Sequence, residues 1–170
     1  MAATHQRASH SILVTGADSG VEAWFPRVRE VPNLSDRLAT FRDQKRAYAL
    51  LDLPTLTVAR RLQIARNGLS YVGRFYDIGQ VVLFALTGRF WSDGAGTLVC
   101  SRLVTAAYFD ARENLFDAEV LGALPPDFPR CANLAQGWVT PGDLLYSRLV
   151  VREFVPSATA PTPNALARTP

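Results

Sequence analysis

Ser9-His10-Ser11-Ile12-Leu13-Val14-Thr15-Gly16-Ala17-Asp18-Ser19-Gly20-Val21-Glu22-Ala23-Trp24 is the stretch whose reading decides the fold. The apolar run Ile12 to Val14 meets a Gly/Asp/Ser loop that tolerates positive φ, and Val21 to Phe25 follows. That pattern predicts strand, turn and strand. Residues facing each other across such a ladder share a side of the sheet. A register centred on Gly16 sets His10 directly opposite Glu22, and one centred on Asp18 leaves them on the same side but well separated. A centre lying between two residues puts them on opposite faces. Glu22 is a carboxylate inside an otherwise apolar strand, which is costly to bury without a partner; alternation alone fits a solvent-facing Glu22 equally well.

Outward from this hairpin, Val28 to Val31 predicts a short third strand after Pro26, Ser35 to Arg46 a polar helix, and Tyr48 to Leu53 a strand stopped by Pro54. Val58, Leu62, Ala65 and Leu69 fall on one helical face, with Arg60, Arg61, Gln63 and Arg66 on the wet sides. Thr55 or Thr57 is placed to cap that helix. A second apolar helix is expected over Ile78 to Leu86, a loop rich in glycine and aromatics over Gly88 to Gly96, and a third helix from Cys100. Leu103, Val104, Ala107 and Tyr108 share the face of Cys100. Pro125, Pro126 and Pro129 call for extended chain, and Leu144 to Tyr146 and Leu149 to Val155 for closing strands. Residues 1–8 form a patternless leader, 9–155 one domain, and 156–170 a Pro/Ala/Thr-rich tail expected to be disordered.

The composition suits one globular α+β domain of 170 residues, 48% apolar and 19% charged. The net charge of +3 comes from scattered arginines (Arg27, Arg29, Arg37 and Arg42 among them), without the basic stripe and interleaved aromatics of a nucleic-acid binder. Two cysteines, Cys100 and Cys131, and two histidines, His5 and His10, lack zinc-site spacing, so neither a metal nor another cofactor is implied. A Cys100–Cys131 disulfide is possible but nothing asks for it. No secretory signal or spanning segment is visible. The chain reads as soluble and cytoplasmic, unless something other than its own sequence carries it elsewhere.

Cys100 follows a loop containing Gly94 and Gly96 and opens an apolar helix. Helix N-termini offer unpaired N–H groups and a partial positive charge, which favour a thiolate and can also hold an oxyanion. A small buried apolar residue is the plainer role for such a cysteine. A thiol hydrolase needs a base within reach of sulfur and a third group to orient that base. His10 is the histidine placed on a credible strand, and Glu22 is the candidate orienter. Trp24, Phe90, Trp91 and Trp138 are bulky enough to line a pocket, and packing in core or loop suits each as well.

Cys100-Ser101-Arg102-Leu103-Val104 with Ala107-Tyr108 resembles the nucleophile helix of the NlpC-type cysteine peptidases, and Gly73-Arg74-Phe75-Tyr76-Asp77 is similar to the Gly-x-x-Tyr element upstream of it. No histidine follows Cys100; the segment from Ser9 to Gly16 and Val21-Glu22-Ala23 instead resemble the family's histidine and orienting strands, placed before the cysteine. That order resembles the circularly permuted, YiiX-like branch of the papain-like fold, and Pro141-Gly142-Asp143-Leu144 with Ser147 is similar to its closing segment. The resemblance spans residues 9–150. It implies a small antiparallel sheet packed on the nucleophile helix, with Cys100 as nucleophile, His10 as base, Glu22 as orienter and Tyr76 lining the substrate site. It further implies hydrolysis of an amide bond in a peptide or cell-wall fragment, with a lipid ester or acyl group as the alternative substrate. Members ordinarily carry a Gly-Asp strand before the histidine, and only nine residues precede His10 here. That difference motivates the rival reading, an inactive binding module of the same fold.

Overall fold

A computed structural model of the chain describes residues 10–44, 46–87, 97–123 and 139–155. The opening hairpin forms β1 (Leu13–Gly16) and β2 (Ser19–Trp24), with Leu13 opposite Val21 and Val14 opposite Gly20. This ladder is centred on Ala17, between the two registers considered from sequence, and a bulge near the turn shifts it at Gly16. Carried back along the chain it sets Ile12 opposite Glu22 and keeps His10 on the same side, one two-residue step further out. A two-residue turn at Phe25–Pro26, with a cis peptide bond, leads to β3 (Arg27–Val31), whose Arg29 lies directly opposite Glu22.

The turn at Asp18 also fixes the next element. Helix α1 (Leu34–Asp43) has no side-chain cap from its own N-cap residue, Asn33. Asp18 supplies it instead, accepting from the Ser35 N–H at 2.6 Å and the Ser35 hydroxyl at 3.0 Å. A carboxylate there satisfies an orphan donor and meets the positive end of the helix. The hairpin tip and α1 are thereby locked together.

Strand β4 (Tyr48–Asp52) pairs far along the chain with β7 (Val150–Val155) in a separate two-stranded antiparallel sheet. Helix α2 (Val58–Leu69) is capped by Thr57 as the sequence suggested. Its buried face differs from the expected one: Val58, Leu62 and Leu69 are exposed, and Ile64, Ala65 and Gly68 are buried. Small residues let α2 approach β1 closely, since a Cβ on Gly68 would lie 2.4 Å from Leu13 Cδ2. Polar residues finish the contact with the helix that begins at Cys100, Asn67 donating to the Ala107 carbonyl at 3.0 Å and Arg60 to the Ala111 carbonyl at 2.6 Å.

Gly73, at φ +88°, makes the left-handed turn that a side chain disfavours. It sends the chain into β5 (Phe75–Tyr76), then α3 (Ile78–Thr87). Strand β6 (Thr97–Leu98) runs parallel to β5 and leads directly into α4 (Cys100–Asp110), followed by the short α5 (Ala118–Ala123). The main sheet has the order β1-β2-β3-β5-β6, antiparallel except for the β5–β6 pair. Helix α4 packs against β2 and α2, and one core joins Leu13, Val21, Ala23, Cys100, Leu103 and Ala107. The architecture is thus α+β, with small, mainly antiparallel sheets and helices.

Leu144 to Tyr146, expected as a strand, forms a 3₁₀ turn over Asp143–Tyr146. Its cause is the buried Asp143 carboxylate, which accepts from the Thr140 N–H at 2.7 Å and the Thr140 hydroxyl at 2.9 Å and so winds the chain after Pro141-Gly142. The leader, the Gly88–Gly96 and proline-rich loops, the tail, His5, Cys131, Phe90, Trp91 and Trp138 lie outside the described residues. Among the described residues no helix is long and apolar enough to cross a membrane.

Gly20 is where the hairpin tolerates no side chain, because a Cβ there would meet the Leu13 carbonyl oxygen at 2.9 Å and Ile12 Cγ2 at 2.8 Å. Gly20→Ala is expected to lower unfolding stability in urea by about 1–3 kcal/mol. Gly122→Ala, with nothing within 4 Å of the new Cβ, should be neutral or slightly stabilising, as Gly-to-Ala is within a helix. Equal stability of the two variants would contradict the assigned packing.

Candidate active site

Glu22 is 1% exposed and accepts from three side chains. His10 Nε2 lies 2.8 Å from Oε2. Arg29, its cross-strand neighbour on β3, donates from Nε at 2.9 Å and Nη2 at 2.7 Å to Oε1. Arg37 reaches in from α1, with Nη2 3.5 Å from Oε2. Burial alone would push this carboxyl up, but the bonds from His10 and Arg29 outweigh it and bring it from 4.5 to about 2. Two guanidiniums on one carboxylate keep it ionised, which is the state that can hold an imidazolium.

Trp24 closes over this group. Its ring meets His10 edge-on, centroids 5.3 Å apart, while the Arg29 and Arg37 guanidiniums stack on it at 5.1 and 5.4 Å. The sequence suggested Trp24 as a pocket wall; here it shields the His10–Glu22 pair. Aromatic contact with both cations also holds the guanidiniums in place.

Cys100 is a free, buried cysteine at the first residue of α4, whose N-cap residue, Val99, makes no side-chain capping bond. The strand pair β5–β6 delivers it, since Leu98 is opposite Tyr76 and Cys100 is two residues on. Its thiol lies near His10 and Ser11 and is coupled electrostatically to His10. Burial alone would raise the thiol, and the hydrogen bond and charge of His10, with the two bonds from Ser11, bring it below the ordinary thiol range instead. His10 responds in the opposite sense: burial alone would lower it, but the bonds to Cys100 and Glu22 raise it from 6.5 to about 9. With Nε2 committed to Glu22, Nδ1 is the ring nitrogen left for a second partner. Tyr76, half buried, is pushed above its ordinary value by burial first and by the nearby Cys100 second.

The residues named from sequence therefore fall in one neighbourhood: His10 is bonded to Glu22 and coupled to Cys100, and Tyr76 is near enough to Cys100 to be affected by its charge. Arg29, Arg37 and Ser11 were not singled out. Arg29 was countable, because a two-residue turn at Phe25–Pro26 pairs residue 22 with residue 29. Arg37 depends on where α1 docks, and Ser11 carries no signal of its own. Among the described residues no cluster of three or more His, Cys, Asp and Glu is arranged to hold a metal ion.

A carboxyl lowered from 4.5 to about 2 stabilises the fold fully above pH 4.5, and this contribution is lost as pH falls through about 2. Its size is roughly 3 kcal/mol. Urea unfolding of the wild type should therefore weaken steeply between these limits. Glu22→Gln should be about 3–5 kcal/mol less stable at pH 6, with two arginines left unpaired, and flatter across the acid range. An acid limb identical in both would contradict the assignment.

Compared with models of known families, with curated proteins and with solved structures, the chain matches none of them, so the reading of this site rests on its geometry.

Proposed function

We propose that the chain is a cysteine hydrolase of the permuted papain-like kind, cleaving an amide bond of a peptide or cell-wall fragment. One observation carries the reading: a buried cysteine at a helix N-terminus is coupled to an imidazole that is itself held 2.8 Å from a buried, arginine-clamped carboxylate. Nucleophile, base and orienter then stand in the order that acyl transfer requires. The arrangement of β1, β2 and α4 around it is compatible with the permuted fold that the sequence resembles.

In the proposed cycle the resting pair is Cys100 thiolate and His10 imidazolium. Sulfur attacks the carbonyl carbon, and the carbonyl electron pair moves to oxygen, where first-turn N–H groups of α4 and the Tyr76 hydroxyl would donate to it. His10 gives its proton to the departing amine as the C–N bond breaks, leaving a thioester. Neutral His10 then takes a proton from water, whose oxygen attacks the thioester, and the acid and the ion pair are regenerated. Glu22 holds the ring in one orientation and balances the imidazolium throughout. A lipid ester would follow the same steps with an alcohol as leaving group.

The test is the pH dependence of Cys100 alkylation by iodoacetamide, in a Cys131→Ala background and with His10→Ala. Cys100 is expected to titrate well below the ordinary thiol value of about 8.5, and His10→Ala to slow alkylation at pH 6 by about tenfold or more. Cys100→Ala should retain the fold and abolish turnover of any amide or ester substrate. A Cys100 that titrates like a free thiol with or without His10 would instead identify a binding module.

A further inference from the structure

Helix α3 has ten residues, and not one of them is charged. Ile78, Val82 and Leu86 recur at every fourth position and so share one face of it. All three are exposed, at 50%, 52% and 78%. A helix on a protein surface ordinarily turns polar residues to water. An apolar stripe in that place marks a surface that meets something else. The polar side chain near the start of the helix, Gln80, is buried instead, and the core cluster does not include the three stripe residues.

The surface leading into α3 is aromatic and basic. Phe75, three residues before Ile78, is 57% exposed, and Trp24 and Phe25 at the β2–β3 turn are exposed as well. Arg27 stands opposite Phe75 in the sheet and lays its guanidinium 4.5 Å from the centre of that ring. Arg74 lies over Tyr71 at the same distance, and Arg29 and Arg37 stack on Trp24. Arginines scattered along the sequence are thus drawn together by β2, β3 and β5. The carboxylates of these segments do not offset them. Glu22 is buried between Arg29 and Arg37, and Asp77 accepts from the Gln80 N–H at 3.0 Å at the start of α3. Glu30 pairs with Val21 and by alternation belongs to the other side of the sheet. Arginine stems resting on rings set apolar surface at one level and leave the cationic heads at its rim.

We propose that the α3 stripe, with its rim of aromatic rings and arginines, is a docking surface for a membrane of anionic lipids. Ten residues make about 15 Å of helix, against a hydrocarbon core of roughly 30 Å. The helix therefore lies along the interface and buries only its stripe. The rim selects the occupant: arginine heads draw anionic headgroups, and the Trp and Phe rings settle at the boundary with the acyl chains. A second copy suits the face less well, since an isologous contact lays it on itself and brings arginine against arginine. Trp24 belongs both to this face and to the cover of His10, so the docked surface adjoins the Cys–His–Glu site. The inference goes beyond the hydrolase reading and does not rest on it.

The test is co-sedimentation of the full chain with sucrose-loaded vesicles, made of phosphatidylcholine alone or mixed in equal parts with phosphatidylserine. The chain is expected to bind the mixed vesicles, to bind phosphatidylcholine alone about tenfold more weakly, and to be released by salt. Val82→Gln combined with Leu86→Gln should weaken binding about tenfold or more, and Arg27→Gln about fivefold. The replaced side chains are exposed, so urea unfolding of each variant should stay close to that of the wild type. Should the α3 double variant fail to fold, Phe75→Thr, on β5, makes the same comparison. A wild type that ignores the mixed vesicles, or binding that survives all of these changes, overturns the proposal. So does a dimer in sedimentation equilibrium that the α3 double variant dissolves while no vesicle is bound, which would identify a second copy as the occupant. Binding is read without turnover, so either result leaves the cysteine chemistry to its own test.

Discussion

Inside the sheet, on β2, the Glu22 carboxylate has water on almost none of its surface and cations on both oxygens. A lone charge there would cost several kcal/mol, so His10, Arg29 and Arg37 are requirements of the fold before they are parts of a site. Each comes from a different element: the segment before β1, strand β3 and helix α1. Satisfying one carboxylate therefore fixes the relative placement of three pieces of the chain. Asp18 does the complementary task at the hairpin tip, tying α1 to the turn so that Arg37 is presented from the correct side.

The second constraint is the route by which Cys100 reaches His10, ninety positions earlier in the sequence. Three close approaches close that distance. Gly68 lets α2 lie on Leu13 of β1, Asn67 and Arg60 tie α2 to carbonyls near the end of α4, and the parallel β5–β6 pair aims α4 back across β2. The helix N-terminus, with its orphan N–H groups, then falls against the strand end that carries His10 and Ser11. Charge placement and packing agree on one geometry, in which the imidazole is bonded to the Glu22 carboxylate and coupled to Cys100.

Much of this was legible in the residues. The hairpin could be read from alternation and its Gly/Asp turn, and the shared side of His10 and Glu22 from parity, although the ladder is centred on Ala17, between the two registers considered. The start of α4 at Cys100 and the Thr57 cap were likewise readable. The buried face of α2 was legible only at Ala65, because periodicity scores apolarity while close approach also selects small side chains; Val58 and Leu62 are exposed, and Ile64 and Gly68 are buried in their stead. The 3₁₀ turn at Asp143–Tyr146 was missed because a carboxylate, not alternation, sets its backbone. Within the site, Cys100, His10 and Glu22 carried signals of type and position. Arg37 did not, since its role exists only once α1 has docked.

Everything proposed for this site depends on His10 carrying a proton while it faces Cys100. Two histidines occur in the chain, so the His10 ring signals can be assigned by comparison with His5→Gln and followed by ¹⁵N NMR against pH. The account expects imidazolium at neutral pH, losing its proton only near pH 9. An imidazole that is neutral at pH 7, titrating at or below its ordinary value of about 6.5, would contradict it.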